Sequence, residues 1–223
     1  MIDDYLDGAT PDDVETDLCI VGAGAAGITL AHSFIGTSIR VCIIESGGHM
    51  EEPATQTLSA GNSIGPHPLE LGDTRMRAFG GSCNLWGGGC IPLDRSDLER
   101  REWVPDSGWP LSWGNLESYY ARARSFCGID GTHGIEDGSF RSRLLRQPPV
   151  FDPRKLVNQT FIRTPMIFGD TYRRALERAS NIQVLLHANL LELHPSNCGS
   201  SVRRATIGAL NGRRGSVLAR CYV

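Results

Sequence analysis

Residues 16–46, TDLCIVGAGAAGITLAHSFIGTSIRVCIIES, decide how this chain is read. Leu18-Cys19-Ile20-Val21 is a short apolar run without alternation, the pattern of a strand buried on both faces in a parallel sheet. Gly22-Ala23-Gly24-Ala25-Ala26-Gly27 follows at once. A helical stretch then runs to about Gly36, with Ala25, Ile28, Ala31 and Ile35 on one face. A second apolar run, Val41-Cys42-Ile43-Ile44, ends in Glu45 and Ser46. The order is strand, glycine turn, helix, strand, acid.

That order has a physical logic. Gly22 permits the tight turn out of the strand, Gly24 lets a pyrophosphate approach the backbone, and Gly27 lets the helix pack closely on the sheet. The helix N-terminus offers unpaired N–H groups and a positive dipole end to phosphates. Glu45 lies about 20 residues further on, where an acid accepts hydrogen bonds from ribose hydroxyls. A turn needed only for packing would explain Gly27 but leave Gly24 and Glu45 without a reason. The stretch therefore points to dinucleotide binding.

The rest of the composition narrows the class. The 223 residues are ample for a core, with 40% hydrophobic residues, 21% charged residues and a formal net charge of -3. Lys155 is the sole lysine and the arginines are scattered, which argues against a nucleic-acid track. No apolar run is long enough to span a membrane. The acidic start, MIDDYLDGATPDDVE, lacks the basic and apolar regions of a secretory signal, so a cytoplasmic location is expected. Seven cysteines without a CxxC pair are expected to be reduced thiols, and the six histidines show no short metal-ligand spacing. Packing or surface roles are expected for those histidines, and no metal site is expected.

A second informative stretch is RAFGGSCNLWGGG, residues 77–89. So many glycines around Asn84 and Trp86 imply close approach of backbone to another group, with a ligand ring the natural candidate. A flexible linker would not carry Phe79, Leu85 and Trp86. Asp94 is placed to cap a helix over 95–102. Ser112 is placed to cap one through Tyr119, Tyr120 and Phe126, whose aromatic stripe is expected to be core. Residues 131–139 read as loop, and 144–166 as irregular chain with edge strands. Thr171 to Ala179 reads as an amphipathic helix, and Ile182 to Leu186 and Leu190 to Leu193 as strands. Asn211-Gly212 is a hairpin turn between Val202–Leu210 and Ser216–Val223.

Four stretches together resemble the N-terminal part of the glucose-methanol-choline (GMC) family of FAD-dependent oxidoreductases, closest to bacterial pyranose oxidase-like and sugar dehydrogenase-like members. They are CIVGAGAAG with Glu45, GGSCNLWGGGCIPLD, WVPDSGWPLSWGNLESYYARA and FGDTYRRALERASNIQVLLHANLLEL. The resemblance implies that Gly22, Gly24, Ala25, Ala26 and Gly27 hold the FAD pyrophosphate. It places Glu45, followed by Ser46, at the adenosine ribose. Gly80, Gly81, Ser82, Asn84, Leu85, Trp86 and Gly87 would run past the isoalloxazine and phosphates, and the family's backbone contact to adenine falls on Leu190. Some relatives link flavin covalently through a histidine where Leu85 stands here, which implies non-covalent FAD.

The implied fold is α/β, a Rossmann-like FAD-binding domain whose parallel sheet has helices on both faces, with an incomplete substrate domain. Residues 1–13 would be a tail, 14–128 the first part of the FAD-binding domain, 129–168 the entry into the substrate domain, and 169–223 the second part of the FAD-binding domain. The implied reaction is oxidation of a CH–OH group of a sugar or other alcohol. Family members are more than twice as long, and their catalytic histidine lies in a C-terminal segment beyond Val223, so no residue here is assigned as base. A catalytically incomplete fragment, or one chain of a split enzyme completed by a C-terminal partner, is the alternative. A nicotinamide dehydrogenase would leave residues 80–89 unexplained.

Overall fold

The structure is a computed structural model that describes residues 1–65, 70–129, 151–152, 154–156 and 162–223. In chain order the strands are β1 (Ile2–Asp4), β2 (Asp13–Glu15), β3 (Leu18–Val21), β4 (Val41–Ile44), β5 (Gly89–Cys90), β6 (Ile162–Arg163), β7 (Ile182–Leu186), β8 (Asn189–Pro195), β9 (Val202–Gly208), β10 (Arg214–Leu218) and β11 (Cys221–Tyr222). The α-helices are α1 (Ala25–His32), α2 (Pro53–Gln56), α3 (Leu71–Thr74), α4 (Arg95–Leu98), α5 (Trp113–Phe126) and α6 (Phe168–Arg178). Contacts divide the chain into two units, residues 1–86 with 167–223, and residues 87–166.

The first unit is built on a sheet in the order β1-β7-β4-β3-β11, with every neighbouring pair parallel. The apolar runs of β3, β4 and β7 form its centre because both of their faces are covered. Ile20 faces α1, lying 3.2 Å from where a Cβ on Gly27 would stand. Ile28 and Ala31 are the buried face of α1, and Leu176 is buried on α6. On the other face, Cys19, Cys42, Ile44 and Leu185 cluster with Val14, Ala205, Ile207 and Val217.

Those last four residues belong to a second sheet, ordered β2-β10-β9-β8. Helices were expected on both faces of the parallel sheet; among the described residues, one face is covered by this mostly antiparallel sheet instead. Its alternating apolar positions, Ala205 and Ile207 on β9, supply the buried face that a helix would otherwise present. The Asn211-Gly212 turn forms as the sequence indicates, with Gly212 at φ +89. Only Arg214–Leu218 continues the hairpin, and Cys221–Tyr222 crosses to pair with β3.

Residues 1–13 are not a tail. β1 adds to β7 in parallel register, Ile2 opposite Val184 and Asp4 opposite Leu186. Tyr5 is fully buried in the core between the sheets. Arg213 lies over its ring at 4.1 Å and donates to the Tyr5 carbonyl at 2.7 Å and to Asp12 at 2.8 Å. A buried aromatic and a many-toothed arginine hold this acidic segment in place, which local composition could not reveal.

The second unit begins at Gly87. It contains the antiparallel pair β5 and β6 and the helix α5. Ser112 and Asn115 close a capping box, Asn115 Oδ1 accepting from the Ser112 N–H at 2.8 Å. The α5 stripe is not core: no α5 residue is buried, and Tyr119 is exposed. Its Trp113 and Tyr120 rings stack on each other at 5.3 Å instead. The helix after Asp94 stops at Leu98, short of the expected 102. The readings of 131–139 and most of 144–161 lie outside the described residues.

Candidate dinucleotide site

The site sits where β3 turns into α1. Gly22 takes φ +101, in the left-handed region that favours glycine, and its N–H donates to the Ile44 carbonyl at 2.8 Å. The chain leaves the sheet here and starts α1 with Gly24 at the N-cap, where no side chain caps the helix. Ala25 and Ala26 open the first turn, so their N–H groups lack intrahelical partners. A Cβ on Gly24 would meet nothing within 4 Å, whereas one on Gly27 would overlap the Gly22 carbonyl oxygen. Gly24 thus faces open space and Gly27 faces packed backbone.

A second backbone closes on the turn. Gly80 N–H donates to the Ala23 carbonyl at 2.8 Å, and Gly24 and Gly80 form an isolated parallel bridge. Gly81 adopts φ +60, and a Cβ there would come within 3.0 Å of Gly24 Cα. Residues 81–84 form one 3-10 turn, closed by the Leu85 N–H on the Ser82 carbonyl at 3.0 Å. Asn84 Nδ2 donates to the Phe79 carbonyl at 3.0 Å, while Asn84 Oδ1 is buried without a hydrogen-bond partner. Ser82 Oγ accepts from Met76 N–H at 3.3 Å, Leu85 is 49% exposed, and the Trp86 ring meets Phe168 edge-on at 5.9 Å. Gly87 falls in the second unit.

Glu45 is buried at the end of β4 and binds the turn itself. Its Oε2 accepts from Ala23 N–H at 2.8 Å, and its Oε1 accepts from Gly47 N–H at 2.9 Å and Ser46 Oγ at 3.1 Å. The carboxylate fixes the first glycine turn to the Gly47-Gly48 turn; Oε1 has both lone pairs engaged, and Oε2 keeps capacity for one further donor. Ala188 N–H donates to the Glu45 carbonyl at 2.8 Å. Leu190 lies two residues further on, in β8 opposite Ile207, so the chain at Leu190 starts from the acid.

Sequence reasoning gave His187, Asp4 and Glu52 no place here. His187 is buried at φ +56 with both ring nitrogens on carboxylates: Nδ1 to Asp4 Oδ1 and Nε2 to Glu52 Oε2, each at 2.8 Å. Burial works to lower its pKa, but the hydrogen bonds that the ring gives to Asp4 and Glu52 outweigh it and hold the imidazole above its ordinary value. A Cβ on Gly48 would press on the Glu52 carboxylate and stand 2.8 Å from His187 Nε2. The HAN tripeptide after a strand was visible in the sequence, but its partners lie 135 and 183 residues away.

Gly24 leaves open space beside its backbone, α1 presents uncapped N–H groups, Glu45 Oε2 and Asn84 Oδ1 hold spare acceptors, and these suit a phosphate-linked dinucleotide with an attached ring. Among the described residues, no group of three or more His, Cys, Asp or Glu is placed to hold a metal, and no helix is long and apolar enough to cross a membrane.

No protein-family profile matches the chain, and no curated protein is similar to it in sequence. Solved structures share its fold. A formate oxidase superposes with TM-score 0.57 at 16% identity over 94% of this chain and 45% of its own. A formate oxidase from Aspergillus oryzae, studied for the effect of a mutation on FAD modification, gives TM-score 0.56 at 14% identity, over 94% of this chain and 45% of its own. Pyridoxine 4-oxidase from Mesorbium loti gives 0.59 at 19% identity over 93% of this chain and 48% of its own. The fold is α/β, a Rossmann-like architecture with a parallel sheet, and the chain spans about half the length of these oxidases.

Proposed function

We propose that this chain is the FAD-binding part of a GMC-type oxidoreductase acting on the CH–OH group of a sugar or other alcohol. One observation carries the reading: the Gly22–Gly27 turn and the Gly80–Gly81 backbone are bonded together at Ala23, beside a buried Asn84 Oδ1 that lacks a donor. Packing accounts for glycine at 80 and 81, where a Cβ would crowd Gly169 N and Gly24 Cα, but it leaves the unpaired acceptor without a reason. The fold likeness to a formate oxidase and a pyridoxine 4-oxidase supports the same class.

In this reading the α1 N–H groups at Ala25 and Ala26 hold the pyrophosphate, with Gly22, Gly24 and Gly27 giving it room. Glu45, oriented by Ala23, Ser46 and Gly47, accepts from the adenosine ribose, and the Leu190 backbone borders the adenine. Gly80, Gly81, Ser82, Asn84, Leu85, Trp86 and Gly87 border the remainder of the cofactor. FAD, when bound, supplies the hydride acceptor. Leu85 offers no nucleophile, so the attachment is non-covalent. Residues 129–168 lead into the substrate domain, and no residue of 1–223 is assigned as the proton-accepting base. A split enzyme, in which a complementary chain carries that base, is the second reading.

The test is the visible absorption spectrum of the purified chain, repeated on the supernatant after acid precipitation. Flavin bands that move into the supernatant support non-covalent FAD. Flavin retained in the pellet overturns the Leu85 argument. A folded chain that neither carries nor takes up flavin overturns the cofactor assignment.

A further inference from the structure

We propose that a protonated His187, bridged between Asp4 and Glu52, is a positioning residue for the Glu45 carboxylate, so that dinucleotide affinity depends on the charge of one imidazole. The proposal rests on the FAD-binding reading above and names what holds that site in shape.

A neutral imidazole has one N–H donor and one acceptor. Here both ring nitrogens stand 2.8 Å from carboxylate oxygens. Asp4 Oδ1 also accepts from Leu6 N–H at 2.9 Å, so it acts as an acceptor. Only the doubly protonated ring can donate to both carboxylates. Deprotonation sets a nitrogen lone pair against an oxygen lone pair on one side. Asp4 is fixed by Leu6, whereas the Glu52 side chain is 43% exposed and can turn to water. Glu52 is therefore the contact released.

Its release reaches the site through backbone. Glu52 ends the segment that starts at Gly47, whose N–H holds Glu45 Oε1 and whose carbonyl accepts from His187 N–H at 3.0 Å. The Gly48 carbonyl accepts from Phe79 N–H at 2.9 Å, and Gly48 bridges Ala78 in parallel. Phe79 leads directly into Gly80, which binds Ala23. The left-handed φ of His187 is strained for a residue with a Cβ, and it aims two successive N–H groups, His187 and Ala188, at the carbonyls of Gly47 and Glu45. The clamp thus touches both backbones that form the cradle.

The charged groups around the ring come from three elements. β1 supplies Asp4, and the loop before α2 supplies Glu52 and His49. From α6, Arg173 stands 3.3 Å from His49 Nε2, with Glu177 paired to Arg173 at 2.7 Å. His49 is held below its ordinary pKa by burial and then by Arg173.

The test is equilibrium binding of FAD to the full chain stripped of flavin, read by flavin fluorescence from about pH 6 to about pH 9. The wild type is expected to lose about tenfold in affinity across that range, equivalent to one unit of coupling on the imidazole. His187→Asn, chosen because Asn tolerates φ > 0, is expected to bind weakly with a flat profile. Glu52→Gln is expected to move the break to lower pH, because a neutral amide supports the imidazolium less than a carboxylate does. A His187→Asn profile that keeps the wild-type slope overturns the proposal, as does a break unmoved in Glu52→Gln. FAD binding with one pH-independent constant overturns the positioning role alone. No binding at any pH overturns the dinucleotide reading as well.

Discussion

Gly24→Ala and Gly27→Ala separate the two duties of the glycine turn. At Gly27 the added methyl would overlap the Gly22 carbonyl oxygen and press on Gly22 C and Ile20 Cγ2 at 3.2 Å. The obstacle is backbone and a buried isoleucine, not the end of a flexible chain. Helix α1 must retreat by about 1 Å, which for overpacking of this kind costs about 1–3 kcal/mol. In a chain of this size that lowers the thermal midpoint by roughly 2–4 °C per kcal/mol. At Gly24 the backbone has φ -78, which any residue adopts, and a Cβ meets nothing within 4 Å. The fold should lose no more than about 1 kcal/mol, the ordinary penalty for alanine at an N-cap. Yet that methyl would occupy the space in front of the uncapped N–H groups, so FAD affinity should fall at least tenfold, about 1.4 kcal/mol. Urea unfolding without ligand reads the first effect as a lower midpoint at unchanged slope. Flavin fluorescence titration reads the second. Gly24→Ala that binds FAD as well as wild type would refute the ligand role of the turn, and Gly27→Ala of wild-type stability would refute the packing role.

Three further outcomes are expected. Because His187 has a raised pKa in the fold, its charge stabilises the chain fully below the ordinary value of 6.5, and that share is lost as pH rises through the folded value; urea midpoints should decline over that window in wild type and not in His187→Asn. Thiol labelling at neutral pH should mark Cys198 early, since hydrogen bonds from Ser196 and Ser200 pull its pKa to about 7, and Cys19 and Cys42 last, since burial pushes Cys19 to about 12 and Cys42 higher still; labelling of Cys42 in folded protein would contradict its burial. Gly212→Ala should cost about 1 kcal/mol by thermal unfolding, because φ +89 at the β9–β10 turn is strained for any residue with a Cβ.

Much of the glycine turn was legible because its logic is local. Gly22, Gly24 and Gly27 lie within six residues, and each answers a constraint set by neighbouring backbone. The apolar runs of β3, β4 and β7 announced a parallel sheet, since strands covered on both faces leave no room for alternation. The glycine cluster at 80–81 marked close approach, although the sequence could not say that the approaching group includes Gly24.

Tertiary structure decided the rest. Asp4 and Glu52 acquire a role only when β1 pairs with a strand about 180 residues away. Nothing in MIDDYLDGATPDD distinguishes an edge strand from a solvated tail, because its anchors are Tyr5 in a distant core and Arg213 on a distant hairpin. The replacement of a helix layer by the β2-β10-β9-β8 sheet, and the grip of Glu45 on Ala23, likewise depend on groups that meet only after folding. Short-range steric rules wrote the turn into the sequence. Hydrogen-bond partners separated by most of the chain are chosen by the packing of the whole fold, and so only the folded chain reveals them.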